Sequence, residues 1–473
     1  MKTFNTLLRH VLVAIAASTG AALAQAADTA NNSPDLIKQG QYLATASDCA
    51  ACHTAKGGKP FAGGLAISSP VGIIYSTNIT PSTGFGIGNY TEAQFEQALR
   101  RGIRPDGAHL YSAMPYTSYA VLTDADVHAL YTYFMQGVAP VNEAAPRTDL
   151  PFPLNIRASM MIWNFLFLKN DPYQPDPHQS EEWNRGKYLV LGAAHCSACH
   201  TPRGFMMQEE SGLDLAGGQV GPWYAPNITP DVTSGIGSLS KEELVQYLRT
   251  GAVHHKMQAA GSMGEAVEHS FQYLSDADLN AIATYIQTIP AIHDSADKTS
   301  RFTLGQPSSE LATLRGENGI RSEIGSPTGA ELFQSNCASC HSPQGQGSKD
   351  GYYPSLFDNS TVGASNANNL IATILHGVNR TTAKGQAYMP GFGGSPYDRT
   401  SLSNKDIVLL SNYVRGLYGP SGTSVTEDQV AEVRRGGPSS SLVLLARVGV
   451  AAGVIVVVLI LLFLFARRRR SLS

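Results

Sequence analysis

Every cysteine in this 473-residue chain belongs to one of three copies of the pattern Cys-x-x-Cys-His. The copies read CAACH from Cys49, CSACH from Cys196 and CASCH from Cys337. Two thiols at this spacing can each form a thioether with a vinyl group of one porphyrin, and the adjacent histidine can then ligate the iron. The pattern therefore predicts three covalently bound c-type haems. The predicted attachment residues are Cys49, Cys52, Cys196, Cys199, Cys337 and Cys340, and the predicted iron ligands are His53, His200 and His341.

Structural zinc and thiol exchange are the competing uses of such cysteines. Structural zinc takes four protein ligands, and each copy of the pattern supplies at most three. A redox disulfide requires neither the adjacent histidine nor three copies. Haem attachment is the interpretation that uses every part of the pattern.

The second axial ligand of a haem iron decides between substrate chemistry and electron transfer. In each third of the chain a methionine lies twelve residues after the glycine that closes a predicted helix, at Gly102, Gly251 and Gly377. The candidate ligands are Met114, Met263 and Met389. Strong ligation on both faces closes the iron to substrates, so this set predicts electron transfer without substrate activation.

The middle haem has other candidate ligands nearby. Met257 lies only six residues after Gly251, so the spacing disfavours it. His254 and His255 stay open as alternatives to Met263.

Three helix signatures recur around each pattern and must position these ligands. The first is a short helix that pairs a glycine with an aromatic residue: Gly40 with Tyr42, Gly186 with Tyr188, and Gly329 with Phe333. The second helix runs from a capping residue to a closing glycine: Thr91 to Gly102, Ser240 to Gly251, and Ser365 to Gly377. Gln94 and Glu243 complete capping boxes in the first two copies, and the third cap is weaker.

The third signature is an apolar-striped helix that starts at a capping hydroxyl residue. These helices begin at Thr123, Ser275 and Ser403. Each carries a tyrosine six residues after its first apolar position, at Tyr133, Tyr285 and Tyr413. Such stripes indicate core packing.

The repetition predicts one fold used three times. Successive patterns are 147 and 141 residues apart, and IYSTNITP from Ile74 returns as YAPNITP from Tyr224. Because proline follows each Asn-Ile-Thr, we interpret these sequences as turns and not as glycosylation sites. We expect a mainly α fold of three tandem class I cytochrome c-like domains, at residues 34–145, 180–292 and 327–420.

The N-terminus predicts export. Basic residues precede an apolar run from Val11 to Leu23, and small residues follow at Ala24 and Ala26. These features are typical of a signal peptide, here residues 1–26.

The C-terminus predicts a membrane anchor. Val448 to Ala466 is an uncharged, mostly apolar stretch that would span about 28 Å as a helix. We expect a linker at 421–441, a single transmembrane helix at 442–466 and a cytoplasmic basic tail at 467–473, because arginine clusters stay inside. The haem domains then lie on the periplasmic side of the cytoplasmic membrane.

Charge and motifs exclude other classes of protein. The net charge is −3, and the exported part is more acidic because six basic residues lie in the two end segments. No basic face is available for phosphates, so a nucleic-acid partner is not expected. The chain has no P-loop, dinucleotide fingerprint or nucleophile elbow, so we assign no catalytic residue.

Several motifs resemble the triple-haem cytochrome c subunits of membrane-bound bacterial dehydrogenases. They are YSTNITP from Tyr75, YSAMPYTSY around Met114, HCSACHTPRGF around His200, and MPGF from Met389. The resemblance implies a separate catalytic subunit of flavin, PQQ or molybdenum type that passes electrons through the haems to ubiquinone. It carries over the same cysteines, histidines and methionines. The clear C-terminal helix favours the gluconate or sugar dehydrogenase members over the alcohol dehydrogenase members.

The connecting segments have weaker signals. The apolar run within 157–177 predicts interdomain packing, with a docking surface at Met160 to Leu168 as the alternative. The stretches 290–327 and 418–441 read as exposed connectors. Two other functions stay open from the residues alone, namely a multihaem c peroxidase and an electron-donating subunit of a terminal oxidase.

Overall fold

The computed structural model of the chain describes residues 34–169, 171–308, 327–395 and 400–470. The predicted signal peptide and the last residues of the basic tail lie outside the described residues. Helices dominate the described part, and its strands form antiparallel two-stranded sheets. We call the stretches around Cys49, Cys196 and Cys337 the first, second and third units.

The three units share the order of a first helix, a pattern helix, a second helix and a later crossing helix, whereas the positions and number of their strands differ. The first unit contains α1 (Pro34–Ala46), α2 (Cys49–His53), β1 (Ala66–Ser69), β2 (Gly72–Tyr75), α3 (Glu92–Arg101), α4 (Tyr116–Tyr119) and α5 (Asp124–Thr132), and α6 (Ser159–Phe167) follows it. The second unit contains α7 (Glu181–Tyr188), α8 (Ser197–His200), β3 (Gly218–Val220), β4 (Trp223–Ala225), α9 (Lys241–Thr250), β5 (Ala252–Val253), β6 (Met257–Gln258), α10 (Gly261–His269) and α11 (Asp276–Ile286). The third unit contains α12 (Gly329–Asn336), α13 (Ala338–His341), α14 (Asn368–His376), β7 (Val378–Thr382), β8 (Gly385–Met389), α15 (Asn404–Tyr418) and α16 (Glu427–Arg434), and α17 (Leu442–Arg470) ends the described chain.

The predicted helix boundaries are confirmed where side-chain caps define them. Thr91 and Ser240 form complete capping boxes at the starts of α3 and α9. Gly102 and Gly251 end the same helices with positive φ angles of 62° and 72°. The third of these helices starts later than the predicted Ser365, because its N-cap residue is Ala367, whose side chain offers no acceptor.

The first helix of each unit, α1, α7 or α12, is in direct contact at a glycine with a later helix, α5, α11 or α15. A Cβ atom at Gly40 would lie 2.0 Å from the Ala129 carbonyl oxygen and 2.6 Å from Tyr133 Cβ. A Cβ atom at Gly186 would lie 1.9 Å from the carbonyl oxygen of Ala281 and 2.9 Å from Tyr285 Cβ. Gly329 meets Leu409 and Tyr413 in the same way. The glycines and tyrosines that recur in the sequence are therefore the two sides of one helix crossing.

The first two units share a hydrophobic core, whereas the third has its own. The shared core includes Leu43 and Leu130 of the first unit and Leu189 and Leu279 of the second. The core of the third unit is built around residues such as Phe333, Ile371 and Ile407. The units therefore repeat in sequence, but the first two pack as a pair. The predicted boundaries of three domains stay predictions.

The connectors differ from the exposed segments that we expected. Arg301 and Phe302 are buried after the second unit. The stretch after Tyr418 contains α16, whose Val430 and Val433 are buried in the core of the third unit. Turn-rich composition marked these segments as loops but carried no signal for their buried side chains.

The C-terminal helix α17 is long and apolar enough to cross a membrane, and its apolar side chains are exposed. Its first turns contact the first unit. Arg447 Nε donates a 3.0 Å hydrogen bond to the Phe152 carbonyl, and Ser440 N donates to the Pro70 carbonyl at 3.2 Å. The helix therefore leaves the protein beside the segment that leads into α6.

Candidate haem centres

Each Cys-x-x-Cys-His pattern forms a short helix, in which the first cysteine is the first residue in the first unit and the N-cap in the other two. His53, His200 and His341 are the last residues of α2, α8 and α13. The residue before the first pattern, Asp48, has a φ of 51°, and His195 before the second has a φ of 38°. These left-handed residues turn the chain from the preceding helix into the pattern.

The three histidines share one hydrogen bond that orients their rings. Nδ1 of His53 lies 2.7 Å from the Thr77 carbonyl oxygen, and Nδ1 of His200 lies 2.7 Å from that of Pro226. Nδ1 of His341 lies 3.0 Å from the carbonyl oxygen of Pro354. A carbonyl can only accept, so Nδ1 carries the proton and the lone pair of Nε2 is left to ligate iron.

The Asn-Ile-Thr turns hold two of those carbonyls in place. Asn78 follows Thr77, is buried, and accepts hydrogen bonds from Thr80 N at 2.9 Å and Thr80 Oγ1 at 2.7 Å. Asn227 follows Pro226 and makes the equivalent bonds to Thr229 at 2.8 and 2.7 Å. The interpretation of these sequences as turns is therefore confirmed, since both side chains are used inside the protein.

Burial sets the protonation of these groups. Desolvation lowers the pKa of His53 and His341 below the ordinary value and lowers that of His200 to about 4. Desolvation also raises the pKa of the Cys49 and Cys196 thiols to about 12. A neutral imidazole can bind iron, and an uncharged thioether suits such a site better than a thiolate.

The candidate methionines contact the same hydrophobic cores as the attachment cysteines. Met114 with Cys49, and Met263 with Cys196, contact the core that the first two units share. Met389, the last residue of β8, and Cys337 contact the core of the third unit. The structure thus places each methionine in the same unit and core as its pattern.

Backbone register supports Met263 over Met257. Leu110 N donates to the carbonyl of the helix-closing Gly102 at 2.7 Å, and Ala259 N donates to that of Gly251 at 2.7 Å. Met114 and Met263 each follow these bonded residues by four positions, whereas Met257 precedes Ala259. Met263 is therefore the structural equivalent of Met114.

The two alternative histidines lie away from this site. His254 and His255 are exposed, and neither lines the cavity beside His200. His254 contacts the position where Gly351 of the third unit would carry a Cβ atom. These contacts favour a role for His254 between units.

A large cavity in the second unit contains the predicted ligands. Cys196, Cys199, His200 and Met263 all line it. Apolar residues form much of its wall, among them Leu244, Leu248, Phe271, Ile282 and Ile286. Two thiols, an imidazole and a thioether around an apolar space fit a covalently bound haem with two protein axial ligands.

The cavity also contains residues that the sequence did not single out. Asp48 reaches it from the first unit, Asn369 from the third, and Arg301 from the following connector. Trp223 and Tyr247 of the second unit complete this group. These residues have no common spacing in the sequence, because tertiary packing of four separate parts of the chain brings them together.

Comparison with known proteins gives matches along nearly the whole chain. The family model for cytochrome c matches residues 37–137 and 326–418. The fructose dehydrogenase cytochrome subunit of Gluconobacter japonicus is 49% identical over 418 residues, covering 88% of this chain and 86% of that protein. The gluconate 2-dehydrogenase cytochrome c subunit of Pantoea cypripedii is 38% identical, covering 90% and 95%. The alcohol dehydrogenase (quinone) cytochrome c subunit of Gluconacetobacter polyoxogenes is 38% identical, covering 89% and 88%.

Proposed function

Because this chain belongs to the cytochrome c subunits of bacterial dehydrogenases, we propose that it carries electrons from a partner catalytic subunit to ubiquinone through three haems. The observation that carries the proposal is the threefold site: an attachment pattern, a histidine oriented through Nδ1, and a methionine in the same core. A haem bound at such a site supplies a one-electron couple at its iron.

The protein's own residues perform the supporting steps. Each cysteine pair would hold one haem covalently, so that an exported protein would not lose it. His53, His200 and His341 are held by backbone carbonyls with Nε2 directed away from the protein acceptor. Met114, Met263 and Met389 would supply the second protein ligand of each iron, and a bound thioether would keep water and substrates away from it.

The partner is a dehydrogenase catalytic subunit of flavin, PQQ or molybdenum type, and its substrate is a sugar. Identity to the fructose dehydrogenase subunit is 49%, against 38% for the alcohol and gluconate dehydrogenase subunits. The word quinone in the name of the alcohol dehydrogenase relative supports a quinone acceptor. Ubiquinone lies in the membrane, so the electron route must end beside the bilayer.

Membrane attachment uses two apolar surfaces. The first is α17, which crosses the cytoplasmic membrane with its arginines inside and the haem units on the periplasmic side. The second is α6, where Met161, Ile162, Phe165 and Leu166 are exposed, Phe165 by 87%. Because Arg447 of α17 bonds to Phe152 just before α6, we place this surface against the outer face of the bilayer. The predicted interdomain packing of this segment is wrong for these four side chains, and of its helix only Trp163 is buried.

Purification of the complex from membranes tests the proposal. Mass spectrometry should find three covalently bound haems on this chain, on the peptides that contain Cys49, Cys196 and Cys337. The complex should contain a second subunit with an organic or molybdenum cofactor and should reduce ubiquinone when fructose or another sugar is added. A chain with fewer than three haems, a high-spin haem that binds peroxide, or co-purification with a copper or haem oxidase would contradict it.

A further inference from the structure

A buried arginine lies in the cavity of the second unit. Arg301 is only 8% exposed, although it follows α11 in a connector. It lines the same cavity as Cys196, Cys199, His200 and Met263. Its position therefore places a positive charge beside the predicted second haem.

The hydrogen bonds of Arg301 leave its charge unbalanced. Nη1 donates to the Ser234 carbonyl at 3.1 Å and Nη2 donates to the Asn227 carbonyl at 3.2 Å. Nε is buried and has no hydrogen-bond partner among the described residues. Asp297 interacts with the guanidinium only through space, since no carboxylate in the described part of the chain lies within ion-pair distance of it. Desolvation lowers the pKa of Arg301 to about 10.

An uncompensated buried charge is costly, so a site of this kind normally meets a counter-ion. Haem carries two propionate groups, and these are anionic carboxylates. A guanidinium presents its donors in a planar fork that matches a carboxylate, and Nε and the second hydrogens of the Nη atoms are still available on Arg301. We infer that Arg301 binds the propionates of the haem attached to Cys196 and Cys199. This inference rests on the proposed three-haem function.

The backbone partners of Arg301 support this assignment. Asn227 follows Pro226, whose carbonyl orients the iron ligand His200. The loop from Pro226 to Ser234 therefore contacts His200 at its first residue and Arg301 at Asn227 and Ser234. One loop thus fixes both the axial ligand and the propionate-binding group.

Burial of an arginine alone would not identify such a group. Arg100 of the first unit is also buried, but Glu96 and Asp124 pair with it at 2.9 and 2.7 Å. Arg415 of the third unit pairs with no carboxylate of the described residues, but its two Nη atoms bond Ala364, Ser365 and Thr423, and it does not line this cavity. Arg301 combines burial, a free Nε and a place in the haem cavity.

The expected effect of Arg301 is on the reduction potential of one haem. Reduction removes a positive charge from the iron, so a nearby guanidinium repels the oxidised haem more than the reduced haem. The guanidinium therefore raises the reduction potential of that haem. Replacing Arg301 with glutamine should lower one of three potentials by about 59 mV, which is a tenfold change in the one-electron equilibrium constant. Lys298 is exposed three residues earlier, so Lys298→Gln removes the same charge outside the cavity and serves as the matched control.

Spectroelectrochemical titration of the purified complex tests the inference. The expected result is one lowered potential in Arg301→Gln, three unchanged potentials in Lys298→Gln, and a smaller decrease in Arg301→Lys, which keeps the charge without the fork. Three wild-type potentials in an Arg301→Gln chain that carries three haems would overturn the inference.

A second measurement, on Arg301→Lys, tests the inference in case the Arg301→Gln chain does not fold and accumulate. The propionate bending band in resonance Raman spectra responds to hydrogen bonds at the propionates, so it should shift in Arg301→Lys. An unchanged band together with unchanged potentials in that variant would overturn the inference. Mass spectrometry of the peptide with Cys196 and Cys199 separates the two proposals, because a wild-type peptide without haem would refute the three-haem function itself.

Discussion

Tyr42 Oη donates a 2.6 Å hydrogen bond to the Asp278 carboxylate and thereby joins α1 of the first unit to α11 of the second. The reverse contact is also made, since Tyr188 of α7 donates to Asp126 of α5. Both tyrosines lie two residues after the crossing glycine, and both aspartates lie at the third position after an N-cap. The same tyrosine–aspartate contact is therefore made in both directions between the first two units, as in an approximately twofold pair.

This pairing brings two haem patterns together. The Tyr119 ring of the first unit packs edge-on against His195, which precedes Cys196, with ring centroids 5.7 Å apart. Asp48, which precedes Cys49, lines the cavity of the second unit. Direct electron exchange between the first and second haems is the consequence that we expect from this arrangement.

Replacing Tyr42 with phenylalanine should destabilise the pair of units. The change removes one hydrogen bond to a charged acceptor, and we expect a loss of about 1–3 kcal/mol in the free energy of unfolding. Denaturant unfolding followed by haem absorbance measures it. Tyr388→Phe is the control, because the Tyr388 side chain is exposed in the third unit. Equal stability of the Tyr42 and Tyr388 variants would show that the contact contributes nothing.

The same contact should make stability depend on pH. Burial disfavours ionisation of Asp278, but hydrogen bonds from Arg185 and Tyr42 outweigh burial and hold its pKa below the ordinary value. A carboxyl whose pKa is lower when folded stabilises the fold above its unfolded pKa of about 3.9, and this stability is lost as pH falls through the folded pKa. Wild-type stability should therefore fall more steeply on acidification below about pH 5 than that of Asp278→Asn. Parallel curves for the two proteins would contradict this role.

Much of each unit could be predicted from local sequence. Capping residues and closing glycines are set by neighbours within one or two turns, so Thr91, Ser240 and Ser403 mark real helix starts. The glycines and tyrosines of the helix crossing meet across long stretches of chain, and only their recurrence in each copy made them visible. The spacing of the patterns likewise indicated the cysteines and histidines. Arg301 could not be found in this way, because its burial depends on a loop about seventy residues earlier in the chain. The shared core of the first two units was also missed, since no repeat signal reports which units pack together.

Removing a methionine ligand should alter one haem only. Met263→Ala should abolish about one third of the absorption that arises from sulfur bound to ferric haem and should lower one potential, because methionine ligation raises it. Met114→Ala and Met389→Ala should each do the same for a different haem. Met257→Ala is the matched control, since Met257 lines the same cavity in a different backbone register. Normal spectra for Met263→Ala with loss of the band in Met257→Ala would reverse the assignment.

Adding a methyl group at the helix crossing should be destabilising. Gly40→Ala places a Cβ atom 2.0 Å from a carbonyl oxygen of α5, and overpacking of this kind costs about 1–3 kcal/mol or more. Gly416 lies in α15, where a Cβ atom would have no atom of the described residues within 4 Å, so Gly416→Ala should stabilise the helix by up to about 1 kcal/mol. Thermal unfolding by circular dichroism compares the two variants. A Gly40 variant as stable as wild type would mean that α1 and α5 do not cross as described.

The exposed surface of α6 should contact lipid. Because the proposed haem attachment uses all six cysteines, Phe165→Cys should introduce a single free thiol that can carry a nitroxide spin label in the complex reconstituted into lipid nanodiscs. Phe85→Cys is the control, since Phe85 is an exposed aromatic residue elsewhere in the first unit. Apolar oxygen concentrates in the bilayer and a polar nickel chelate is excluded from it, so the label at residue 165 should relax faster with oxygen and the label at residue 85 with nickel. Equal accessibility at both sites would place α6 in water. A complex with both Ile162→Ser and Phe165→Ser should retain all its haems but reduce ubiquinone several-fold more slowly than wild type. The reason is that a surface without these apolar side chains no longer holds the haem units against the bilayer.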